Sequence, residues 1–151
     1  MKKREGFTLL EVLLSLFLVS AMMVFTMIVL DPVRQFAKSR NSKRKGDTNV
    51  ILNAIGQNVF DNAGNFSCSS GGLPTTTANM ALASGSYNIA PCLVPVYLTA
   101  LPYDPSSSGV YYYNGTSSYN IGYSVVRNAT TGRITVSAPG AELGETISIM
   151  R

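Results

Sequence analysis

Hydrophobic and polar positions divide the chain into three regimes. From Phe7 to Leu30 the residues are apolar almost without relief, and Glu11 is the one charge among them. As a helix this run would extend about 36 Å at 1.5 Å per residue, enough to cross a hydrocarbon core of about 30 Å. From Asp31 to about Ala63 the pattern still predicts helix, now amphipathic. Ile51, Leu52, Ile55 and Val59 recur at helical spacing and form a stripe that faces a core. Asp31-Pro32 predicts a kink where the apolar half ends, because proline removes one helical hydrogen bond. Asn62-Ala63-Gly64-Asn65 predicts the stop.

The third regime begins irregularly. Phe66 to Pro105 contains Gly71-Gly72 and Pro74, and it predicts no regular element. From Gly109 the pattern turns to strands. Val110-Tyr111-Tyr112-Tyr113 ends at the hairpin signal Asn114-Gly115. Tyr119–Arg127, Arg133–Ser137 and about Thr146–Met150 follow, with turn residues between them. The expected fold class is α+β: a long N-terminal helix, membrane-spanning in its first half, packed through its second half on an antiparallel sheet of three to four strands. The expected segments are a leader over 1–6, an apolar helix over 7–30, an amphipathic helix over 31–63, and a loop and β-meander over 64–151.

Charge sharpens this division. Three basic residues, Lys2, Lys3 and Arg4, precede the apolar run. Six more crowd the neck after it: Arg34, Lys38, Arg40, Lys43, Arg44 and Lys45. Beyond Gly46 only Arg127, Arg133 and Arg151 remain, against Asp47, Asp61, Asp104, Glu142 and Glu145. Such a neck reads as a solvated helix face, pairing with acids of neighbouring subunits; lipid headgroups or nucleic acid are its other possible partners, and nucleic acid is not expected. The greater basic charge of the neck alone would place it on the cytoplasmic side. The two cysteines favour the opposite, an exported domain.

Candidate chemistry is sparse. The chain has no histidine, so no Ser-His-Asp triad or cysteine–histidine pair exists, and the carboxylates do not cluster in sequence. No enzyme activity and no cofactor are expected. Cys68 and Cys92 are the only cysteines. In an exported domain they read as a disulfide, with two free buried thiols as the alternative.

Lys2-Lys3-Arg4-Glu5-Gly6-Phe7-Thr8-Leu9-Leu10-Glu11 resembles the class III signal of type IV prepilins and type II secretion pseudopilins. The resemblance implies a pilin fold and cleavage by a membrane prepilin peptidase between Gly6 and Phe7. It implies N-methylation of Phe7, and Glu11 as the acid that guides assembly. It places the precursor in the cytoplasmic membrane, leader inside and domain outside, and the mature subunit in an extracellular filament. The implied partners are other copies of the chain, an inner-membrane assembly platform and a motor ATPase. Leu101-Pro102-Tyr103-Asp104-Pro105 is similar to a segment of major pseudopilins and short pilins, after which some pseudopilins bind calcium. Calcium takes six to eight oxygens, and Asp104 has no acidic neighbour before Glu142, so a turn that starts the sheet is the preferred reading. A pilus subunit is the first functional expectation, a secretion pseudopilin the second, and a membrane-anchored binding module the third.

Overall fold

The structure is a computed structural model that describes residues 6–106 and 110–151. The basic leader residues Lys2, Lys3 and Arg4 lie outside the described part. Contacts divide the chain into two compact units, Met1–Phe36 and Ala37–Arg151.

The first unit contains helix α1, Leu9–Leu30, none of whose residues is buried. Its hydroxyls turn back onto the helix: Ser15 donates to the Glu11 carbonyl, Ser20 to Phe17 and Thr26 to Met23. Every hydroxyl within α1 therefore donates to the helix itself, as a low-dielectric environment demands. The expected kink is instead a clean break. Asp31 adopts the left-handed conformation at φ 40° and ends α1. Its carboxylate then accepts from the Arg34 amide at 3.2 Å, and its carbonyl from Gln35. Asp31 thus caps the next helix, α2 (Pro32–Asp61), with Pro32 at the first helical position, where its missing N–H costs nothing.

The second unit holds most of α2 and a five-stranded antiparallel sheet. Its strands are β1 (Ala78–Ala81), β2 (Tyr112–Tyr113), β3 (Tyr119–Arg127), β4 (Ile134–Ala138) and β5 (Ile147–Met150). A one-turn helix, α3 (Ala90–Leu93), lies between β1 and β2. The sheet has one strand more than the sequence predicts: β1 falls in the stretch expected to be irregular. Strand β3 is central. Its Asn120 pairs with both Ala81 of β1 and Tyr112 of β2, and its Ser124 with both Asn79 of β1 and Ser137 of β4. So β1 occupies one edge of β3, while β2 and β4 share the other. Strand β5 closes the order through Ala138↔Ile147. Gly122 lets the Tyr111 ring lie against β3: a Cβ there would stand 2.6 Å from the ring, and its φ of +73° suits glycine alone.

The core forms where the predicted stripe meets the sheet. Ile51, Leu52 and Ile55 are fully buried with Ile121, Tyr123, Val125 and Val136, and Val59 packs at the margin.

Candidate functional site

The N-terminal site is built on α1. Thr8 precedes the helix in extended conformation, and its hydroxyl accepts from the Glu11 amide at 3.3 Å. Thr8 is therefore the N-cap and Glu11 the third helical residue, the spacing of a capping box. A carboxylate in the first turn also offsets the partial positive charge of the helix terminus. Phe7, directly before the cap, is exposed at the same helix end. The structure thus brings Gly6, Phe7 and Glu11 together at one terminus. Beyond it, α1 offers lipid or other protein chains an unbroken apolar surface.

The second constellation joins α2 to the rest of its unit, and the sequence does not announce it. The buried face of α2 runs Ala37, Asn41, Arg44, Thr48, Ile51 and Ile55. Its lower part is polar. Arg44 has 0% side-chain exposure and uses all five of its N–H groups. Its Nε donates to Asp104 Oδ2 at 2.8 Å, and one Nη2 proton to Oδ1 at 3.0 Å. The other Nη2 proton goes to the Ser106 hydroxyl. Nη1 donates to Asn41 Oδ1 at 2.7 Å and to Glu142 Oε1 at 3.0 Å. Arg40 grips the same Glu142 through two hydrogen bonds, of 2.7 and 2.5 Å. Asn41 exchanges two hydrogen bonds with the Glu142 backbone.

The pKa directions follow from this geometry. Hydrogen bonds from Arg40, opposed by burial and reinforced by Arg44, hold the Glu142 carboxyl at about 2. Burial pushes Asp104 upward, but the hydrogen bonds of Arg44 and Ser106 outweigh it and the net shift is down. Hydrogen bonding to Asp104 likewise overcomes burial and raises Arg44. Gly140 lies directly over this cluster, and a Cβ there would stand 2.8 Å from Asp104 Oδ2.

One sequence reading changes here. The neck is not simply a solvated face seeking acids on other subunits. Arg40, Arg44 and Lys45 pair within their own unit, Lys45 with Glu145 at 2.8 Å. Asp104, weighed as a calcium ligand, has both carboxylate oxygens engaged by Arg44. The arginine supplies the charge balance that a cation would have given. The spacing of Arg40 and Arg44, one helical turn apart, was the available signal. Nothing in the pattern distinguished them from Lys38 or Lys43.

At the other end of α2, Asn58 donates to the carbonyls of Ser67 and Cys92 and accepts from the Ser67 amide. It anchors the loop closed by the Cys68–Cys92 disulfide, whose Cα atoms lie 4.9 Å apart.

The helix that precedes the α+β unit is exposed, carries an acid in its first turn, and is long and apolar enough to cross a membrane. Residues 1–28 match the family described as the prokaryotic N-terminal methylation motif. The chain thus carries the class III signal of type IV pilins and pseudopilins, which implies peptidase processing and assembly with copies of itself. That signal and α1 fit a membrane-anchored precursor. No curated protein and no solved structure matches the chain.

Proposed function

We propose that the protein is the structural subunit of a type IV pilus-like surface filament. A prepilin peptidase cleaves between Gly6 and Phe7, the Phe7 amine is methylated, and an inner-membrane platform with its motor ATPase adds subunits from the membrane. The reading rests chiefly on one coincidence: the methylation motif falls on a helix with no buried residue. Such a helix needs lipid before assembly and other copies of itself afterwards.

Glu11 is the register device in this reading. Cleavage creates a positive amine at Phe7, at the already positive end of α1. In an apolar bundle the Glu11 carboxylate, from the same subunit or a neighbour, offsets that charge. Losing one partner of such a buried pair costs about 3–5 kcal/mol. Glu11→Ala is therefore expected to be processed and to insert normally, yet to yield few sheared filaments. Wild-type filament yield from Glu11→Ala would remove the register role.

A secretion pseudopilin is the second reading, favoured by the likeness of Leu101–Pro105 to that group. The disulfide-closed loop and the engagement of Asp104 by Arg44 support the pilus reading over it. Electron microscopy of sheared surface filaments, with mass spectrometry of their subunit, decides between them.

A further inference from the structure

The C-terminal end of α2 carries a feature that neither the core nor the N-terminal site uses. A groove of about 470 Å³ lies beside it, lined by Leu52, Val59 and Ile134 with glycines between them. A second hollow of about 510 Å³ adjoins it, lined by Asn53, Gln57, Asp61 and Tyr97. Phe60 and Arg151 border both. Phe60 is 85% exposed.

Two charges stand on the same patch. Asp61 is the last residue of α2, with no basic residue in that turn and no ion pair among the described residues. A carboxylate at the negative end of a helix is unfavourably placed; the Tyr97 hydroxyl faces Asp61, and a cation would offset its charge further. Arg151 donates to Asn53 Oδ1 at 2.9 Å and makes no ion pair among the described residues.

We propose that this patch is a self-association surface, which meets the same patch of a second copy about a two-fold axis. One copy's Phe60 would enter the other's groove, and each Asp61 would face the partner copy's Arg151. A surface that holds both knob and hole, and both acid and base, is complementary to itself, the requirement for a closed two-fold contact. A lipid tail in the groove would leave Arg151 against hydrocarbon, and an uncharged peptide would offer Asp61 no cation.

The contact is small. Two phenylalanines bury about 300–500 Å² together, well below the roughly 1,200–2,000 Å² of a stable interface. The pair therefore forms where chains are concentrated side by side in a membrane, not in dilute solution. The proposal needs only membrane insertion of α1, so it stands or falls separately from filament formation.

The test uses the full chain in membranes of producing cells. Gln57→Cys places an exposed thiol beside Phe60, and Leu82→Cys places one on an exposed position just after β1, outside the patch, as control. Treatment with a short bismaleimide is expected to give a cross-linked dimer from position 57 and not from position 82. Adding Phe60→Ser, Asp61→Arg or Arg151→Asp to Gln57→Cys should lower that dimer at least five-fold. The combination Asp61→Arg with Arg151→Asp should recover it. Asp61→Arg puts a cation at the negative helix end, so its effect is not a loss of fold. Equal dimer at both thiols, dimer at neither, a cross-link to a different protein, or no recovery in the charge swap would each overturn the proposal. Filament yield from the same cells reports on the filament reading independently.

Discussion

Asp104→Asn preserves the size of a fully buried side chain and removes its charge. Arg44 keeps its own charge, at 0% exposure, with only Glu142 as an acidic neighbour. Breaking a buried ion pair from one side costs about 3–5 kcal/mol. Because Glu142 stays within 3.0 Å, the lower end, about 3 kcal/mol, is expected. With a urea m-value of about 2 kcal/mol/M for a domain of this size, the unfolding midpoint should fall by about 1.5 M. The assay is a urea titration of the full-length protein in detergent, followed by near-UV circular dichroism of the buried Tyr119 and Tyr123. The exposed pair Lys45–Glu145 is the internal control: Lys45→Gln should leave the midpoint almost unmoved. If Asp104→Asn behaves like Lys45→Gln, the buried cluster does not hold the unit together and its account is wrong.

Other expectations follow from the same geometry. The depressed Glu142 carboxyl contributes stability that is complete above its ordinary value of 4.5 and is lost as pH falls toward about 2; the urea midpoint should drop between pH 5 and pH 3, and the drop should shrink in Glu142→Gln. Cys68→Ser should destabilise the unit by about 3–4 kcal/mol on the chain-entropy model, read as a lower midpoint, whereas alkylation of two thiols in unreduced native protein would show that the bridge does not form. Gly6→Val should leave uncleaved precursor in the membrane; mass spectrometry that finds a surface protein beginning downstream of Ser20 would contradict the assigned junction.

Much of the architecture is readable from residue pattern, and the exceptions share a cause. The apolar run and the stripe Ile51, Leu52, Ile55 announce themselves because burial there uses apolar side chains. The lower half of the same buried face uses Asn41, Arg44 and Thr48, residues that pattern analysis assigns to solvent. Their burial depends on Asp104 and Glu142, which lie 60 and 98 positions from Arg44. Strand β1 is hidden for a related reason. Ala78-Asn79-Met80-Ala81 has neither β-branched nor aromatic residues, and only pairing with β3 makes it a strand. Asp31-Pro32 reads as an interruption in one helix, yet the aspartate side chain caps a new one. At the N-terminus the methylation motif is legible, because the signal is local.

The change of character along the buried face of α2 has a mechanical consequence. Contacts such as Ile51 and Ile55 on the sheet are tolerant of sliding, since apolar packing weakens gradually with displacement. The Arg40–Arg44 cluster is not, because its hydrogen bonds depend steeply on distance and angle. If tension is applied along α2, the Arg40–Arg44 cluster acts as a brittle rivet, and the Ile51–Ile55 stretch between it and Asn58 as a more compliant pad. The rivet also sets the rotation of the helix about its own axis, since Arg44 meets Asp104 and Glu142 together in only one orientation. A subunit fastened this way would resist small forces without creep. Past the breaking point of that one cluster, it would yield abruptly while its apolar core stayed closed.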